Sequence, residues 1–194
     1  MIKRTLILLF LFSTVLVLGQ NQFKTDIESS LVNWKGFKPT GEHYGTVNLK
    51  SGSFTVENNK IVNGNFEIDM TSIVDLDMAA DNEYNAKLVG HLKSDDFFGV
   101  EKYPVAIFQL TSTEVKGDKT LIKGNLKIKE KTHPVSFEAT VTLDGDRLLL
   151  KSDTFKIDRS KWDIKFKSKS FFDDLGDKFI DDDMELSVLV NASK

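Results

Sequence analysis

With 194 residues, 40% of them hydrophobic, and no cysteine, the chain can build one domain with its own core. It cannot use disulfides, a thiolate metal site or a thiol nucleophile. Its 29 acidic residues against 26 basic ones give a net charge of −3 at pH 7, which favours solubility and argues against nucleic acid or an anionic membrane surface as partner.

Residues 1–19 read as a secretory signal peptide. Lys3 and Arg4 make a positive start, Thr5–Leu18 (TLILLFLFSTVLVL) is an almost unbroken apolar run, and Val17 and Gly19 suit cleavage before Gln20. The run of about 14 residues falls short of the roughly 20 that a spanning helix needs. No cysteine follows it, so a lipid-modified N-terminus is not expected. The expected product is residues 20–194, periplasmic or secreted, with no stable membrane span and a net charge of about −5.

From Gln20 onward the dominant hydrophobic period is two. Strands are expected at about Ile27–Lys38 and Glu42–Val56. The second changes phase at Ser51-Gly52-Ser53, with Val47 and Leu49 before it and Phe54 and Val56 after it, which reads as a bulge or sharp bend. In Ile61–Met70, Val62, Gly64, Phe66, Ile68 and Met70 share one face, and Asn63, Asn65, Glu67 and Asp69 the other. Asp77–Phe98 has no period of two. Ala79, Ala80, Tyr84, Leu88 and Leu92 have a helical spacing there, with Asp81 as the expected cap, so a helical crossover follows the third strand. Val105–Val115 comes next. In Leu121–Lys129, Ile122, Gly124, Leu126 and Ile128 share a face; in Val135–Asp144, Val135, Phe137, Ala139, Val141 and Leu143 do. Leu148–Asp158 is one further strand. After an irregular insertion at 174–179, Met184, Leu186, Val188, Val190 and Ala192 face one way in the last. Turn signals at 57–60, 116–119, 130–134 and 144–146 join these strands.

About eight antiparallel strands, each dry on one face, and one short helical segment make an all-β fold whose sheet must pack on itself, as a sandwich or a closed barrel. Closure removes open edges, and eight strands enclose a space that side chains fill or, if they stay small, one ligand. The segment Ile61–Asp69 (IVNGNFEID) is echoed by Leu121–Lys129 (LIKGNLKIK), each with a glycine in the inward phase. Gly64 and Gly124 either let their strands bend or leave room for something that is not protein, and the sequence leaves both readings open.

Other chemistry has little support. His43, His91 and His133 lack metal-ligand spacing, and Asp181-Asp182-Asp183 lacks the glycine and glutamate of a calcium loop. There is no nucleophile elbow and no phosphate-cradling glycine loop. Arg159 is a candidate to pair with a polar head group, or else with Asp158 or a neighbouring strand. His91 either meets a ligand or packs beside Phe97 and Phe98, which are expected to plug one barrel end.

The stretches Gly90–Leu110 (GHLKSDDFFGVEKYPVAIFQL), Ile122–Phe137 (IKGNLKIKEKTHPVSF) and Phe155–Phe166 (FKIDRSKWDIKF) strongly resemble the YceI-like family. WKGFKPTGEHYGTV near the start and LGDKFIDDDMELSVLVNA at the end extend the likeness over nearly all of residues 20–194. His91-Leu92, Ser94, Phe97-Phe98, Tyr103-Pro104, Gly124, Leu126 and Arg159-Ser160 carry it. The resemblance implies a lipocalin-like antiparallel β-barrel, exported to the periplasm, with a polyisoprenoid or another amphiphile inside. The chain departs from the family at Asp163, where many relatives have glycine, and in a longer, more acidic FFDDLGDKF, which leaves the shape of one mouth open.

The expected ligand-binding residues are Val62, Gly64, Phe66, Ile68, His91, Phe97, Phe98, Phe108, Ile122, Gly124, Leu126, Ile128, Phe137, Val141, Arg159, Leu186 and Val188. The expected function is carriage or sequestration of a polyisoprenoid, an isoprenoid quinone or a fatty acid derivative, with no catalysis, cofactor or metal; a homodimer is left open. The rivals are an enzyme acting on such an amphiphile, with His91 or Asp96 as acid or base, and an exported stress-response protein with a solid core.

Overall fold

A computed structural model describes residues 20–194; the expected signal peptide lies outside the described residues. Strands β1 (Asn21–Lys38), β2 (Gly41–Glu57) and β3 (Lys60–Asp75) form a meander, and helix α1 (Glu83–Lys93) crosses to β4 (Val105–Lys116). Then follow β5 (Lys119–Ile128), β6 (Lys131–Asp144), β7 (Arg147–Ser152), β8 (Phe155–Asp158) and β9 (Asp183–Ser193). Neighbours pair antiparallel from β1 through β7, and β9 returns to pair with β1, closing the barrel. β7 pairs with the 189–193 end of β9 and β8 with the 183–186 end. The two are therefore pieces of one stave, and the barrel has eight.

The single strand expected at Leu148–Asp158 is broken at Asp153-Thr154. Buried Ser152 accepts a hydrogen bond at its hydroxyl from the Val188 amide (2.8 Å), so a side chain replaces a rung of the ladder. β1 starts six residues earlier than the alternation predicts. Asp26 accepts from the Glu28 amide (3.1 Å) and the Ser29 hydroxyl (2.7 Å), and this local turn shifts the register between Lys24 and Leu31. The helix cap is Asn82, not Asp81: its side chain accepts from the Tyr84 amide at 2.9 Å.

Among the register shifts, two bulges between β2 and β3 bear on the expected inward faces. One falls at Lys50, between the pairs Leu49–Ile68 and Ser51–Glu67, just ahead of the expected Ser51-Gly52-Ser53. The other falls at Val62, between the pairs Thr55–Asn63 and Val56–Ile61. The extra residue there turns Val62 outward, 40% exposed, and puts Ile61 in the core instead. The end of the barrel that carries the 57–60, 116–119 and 144–147 turns is packed solid by Phe23, Val56, Ile61, Ala139, Leu148 and Ala192. The other end carries α1 and the long 159–182 segment.

Candidate functional site

Toward that second end the inward faces enclose a cavity of about 210 Å³ whose exposed wall is apolar. Phe54 and Leu49 of β2, Phe66 and Ile68 of β3, Ala106, Phe108 and Leu110 of β4, and Ile122, Leu126 and Ile128 of β5 form one side. Phe137 of β6, Leu150 of β7, Phe155 and Ile157 of β8, and Leu186, Val188 and Val190 of β9 form the other, with Val32 and Trp34 of β1 between. The open end is lined by Leu88 and Leu92 of α1, by Phe97 and Phe98 after it, by Phe37, Lys38 and His43 around the first hairpin, and by Arg159, Ile164, Ile180 and Asp181. Phe97 and Phe98 are buried.

Five of the candidate binding residues are not in this wall. Val62 is turned out by its bulge. Over Gly64 lie the rings of Phe66 and Phe54, and over Gly124 the ring of Phe108, so the glycines give their space to the chain's own aromatics rather than to the cavity. Val141 is inward but packs against the core away from the cavity. His91 does not line the cavity. Its ring stands edge-on to Phe97 (centroids 5.0 Å) and Phe166 (4.6 Å), and its Nε2 is 3.2 Å from Asp96 Oδ2. The suggested acid or base pair, His91 and Asp96, therefore stands outside the cavity.

Arg159 reaches the wall but is not free to meet a head group. It is 1% exposed and donates to the carbonyls of Asp181 (3.0 Å), Ile164 (2.7 Å), Phe166 (3.0 Å) and Ile180 (2.9 Å), with Asp182 Oδ1 at 3.4 Å. Burial lowers its pKa, opposed by Asp182, Asp158 and Asp181. The guanidinium staples the irregular 159–182 segment across the barrel end, and its face lies 5.7 Å from the centre of the Phe97 ring.

Sequence reasoning missed Trp34, Leu49, Phe54, Phe155 and Ile157 as wall residues, although their alternation carries the signal. Ile164 and Ile180 sit in irregular segments where no period marks an inward side. It also missed a polar group at the open end. His43 Nδ1 lies 3.0 Å from Asp77 Oδ2, and Lys38 Nζ lies 3.1 Å from His43 Nε2. Burial, and next a hydrogen bond shared with Asp77, push the Asp75 carboxyl up to about 6. Burial also pushes Asp77 up, but hydrogen bonds from Asp75, His43 and the Tyr44 amide outweigh it and hold that carboxyl below its ordinary value.

A meandering barrel of eight staves, solid at one end and hollow with an apolar wall toward the other, is a lipocalin-like barrel. Residues 23–192 match the model of the YceI-like domain, and the chain belongs to the YceI-like family. A UPF0312 protein of Pseudomonas putida is 34% identical over 157 residues, 75% of this chain and 76% of that protein. Protein YceI of Salmonella arizonae is 33% identical over 103 residues, 53% of this chain and 51% of that one. Among solved structures, Burkholderia cenocepacia BcnA superposes with a TM-score of 0.62 at 21% identity, over 87% of this chain and 99% of that one. A polyisoprenoid binding domain from Saccharophagus degradans, implicated in plant cell wall breakdown, gives 0.62 at 14% identity, over 88% and 97%. At these identities the two structures attest the fold.

Proposed function

We propose that the protein holds a long-chain amphiphile with its tail inside the barrel, a polyisoprenoid, an isoprenoid quinone or a fatty acid derivative, and carries or sequesters it unchanged. The apolar cavity is the observation that carries this reading. Each CH₂ moved out of water gains roughly 0.8 kcal/mol, so a five-carbon unit contributes about 3–4 kcal/mol gross, offset in part by the ordering of the chain. Such a guest needs a dry channel more than it needs polar partners. The isoprenoid class is supported by the name of the Saccharophagus degradans domain that shares the fold. The basic start and apolar run of residues 1–19 support export to the periplasm or beyond. A carrier rather than an enzyme is supported by the position of His91 and Asp96 outside the cavity.

Organic extraction of the purified protein followed by mass determination tests the reading. The expected result is one isoprenoid- or acyl-tailed molecule per chain, which rebinds and returns chemically unaltered. Ala106 is buried and faces the cavity, so Ala106→Trp should cut the load while circular dichroism shows a folded barrel. An empty extract together with no uptake of added polyprenol, quinone or fatty acid would sink the reading, and a chemically altered guest would favour the enzyme.

A further inference from the structure

One imidazole and two carboxylates converge at the open end, where β2 begins and β3 ends. Ligand atoms of His43, Asp75 and Asp77 all lie within 4.8 Å of one another. Asp75 is 5% exposed. Its Oδ2 accepts from the Met78 amide (3.1 Å) and the Asn85 side chain (3.3 Å). Its Oδ1 is buried and meets no donor among the described residues. A bare carboxylate oxygen, buried beside a second carboxylate, is costly unless a cation or a shared proton stands between them.

The group is braced from behind, as ligating side chains are. Asn85, which fixes Asp75, is itself held by the Met78 carbonyl at 3.0 Å. Asp77 Oδ1 accepts from the Tyr44 amide at 3.2 Å, while Asp77 Oδ2 holds His43 Nδ1. Two strand ends and a turn thereby hold three anchored ligand groups within 4.8 Å of one another.

We propose that His43, Asp75 and Asp77 are the protein's ligands for one divalent cation of the zinc class. One imidazole nitrogen and two carboxylates suit a four-coordinate ion with one position left over. Calcium takes six to eight oxygens, and magnesium wants an octahedral set, so neither matches this donor set. The two carboxylates balance the charge of the ion. His43 also stands in the cavity wall, which puts the ion at the open end of the barrel. The site does not depend on what fills the interior.

The test is calorimetric titration of Zn²⁺ into the purified chain after treatment with EDTA, with Co²⁺ absorption as a second probe. One Zn²⁺ per chain is expected, together with a rise in Tm on adding it. His43→Ala and Asp75→Asn should each weaken binding by at least about tenfold while circular dichroism stays unchanged. Lys38→Met should tighten it, because the Lys38 ammonium stands 3.1 Å from the His43 ring. His91→Ala should leave it unaltered. No saturable binding would overturn the assignment and leave the two carboxylates sharing a proton. Binding that survives His43→Ala and Asp75→Asn would overturn it as well, by placing the ion elsewhere.

Discussion

The ring of Phe108 occupies the space that a side chain at Gly124 would need. A Cβ at 124 would stand 2.4 Å from Phe108 Cζ and 2.6 Å from the Gln109 carbonyl. Gly64 repeats the arrangement more loosely, with Phe66 at 3.0 Å and Phe54 at 3.3 Å. β3 and β5 flank β4, and both glycines pair with the same residue, Leu110. The echoed strands thus build two flanking slots that let large aromatic rings lie down on the sheet and wall the cavity.

Gly124→Ala should therefore lower stability by about 1–3 kcal/mol, because backbone as well as ring must give way. Gly64→Ala should cost clearly less. Urea unfolding of both variants checks the order. Equal midpoints for Gly124→Ala and the parent would show that the Phe108 ring moves aside freely.

Alternation placed the staves from β3 to β6 and β9, since Phe66 and Ile68, or Leu126 and Ile128, recur every second residue on the buried side. It went wrong where one residue breaks the count. Val62 is apolar and in phase with Phe66, yet the bulge exposes it and buries Ile61. Bulges depend on the partner strand, which a single segment does not reveal. Arg159 was legible as a special residue, but its partners are backbone carbonyls, and carbonyls leave no mark in a sequence. His43, Asp75 and Asp77 went unread as a group because Asp75 lies 32 positions after His43, and it is the pairing of β2 with β3, which sets Gly45 opposite Asp75, that brings them together.

Removing Arg159 should unfold the hollow end before it changes what the cavity holds. Arg159→Ala strands four carbonyls and Asp182, with an expected loss of about 3–5 kcal/mol. Arg159→Lys keeps the charge but not the fork, so it should rescue only part of that loss. Lipid content per folded molecule, measured on Arg159→Lys at low temperature, should match the parent. A specific loss of anionic amphiphiles with stability intact would return Arg159 to the role of head-group ligand.

Asp75 should make the protein less stable as the pH rises toward neutrality. Its carboxyl sits at about 6 in the folded chain against 3.8 when unperturbed, so between those values the folded state binds the extra proton. Stability falls with rising pH across that window, and the full penalty, at most roughly 3 kcal/mol, is present above it. Asp77 is shifted the other way and loses its contribution only at pH values below its ordinary range. In EDTA, Asp75→Asn should melt above the parent at pH 7.5, and the two should converge by about pH 4. A difference that does not change with pH would mean that the carboxyl titrates normally.

Asp163 closes the turn of 3₁₀ helix at Arg159–Trp162 with left-handed backbone, φ 60° and ψ 25°, its amide donating to the Ser160 carbonyl at 3.0 Å. Glycine takes that conformation without strain, and aspartate is among the side chains that tolerate it. The Asp163 carboxylate adds exposed ion pairs to Lys165 (3.0 Å) and Lys131 (3.6 Å), worth no more than about 1 kcal/mol. Relief of backbone strain, loss of those pairs and the added freedom of glycine in the unfolded chain nearly cancel, so Asp163→Gly should stay within about 1 kcal/mol of the parent. Asp163→Val has the same backbone to satisfy with a β-branched side chain, and should lose about 1–2 kcal/mol. The strain falls between Trp162, whose Nε1 donates to the Leu126 carbonyl at 3.0 Å, and Ile164 in the cavity wall. Tryptophan fluorescence should therefore report looser packing of Trp162 in Asp163→Val but not in Asp163→Gly. A valine variant as stable as the parent, with unchanged emission, would show that this turn relaxes out of the left-handed region at no cost.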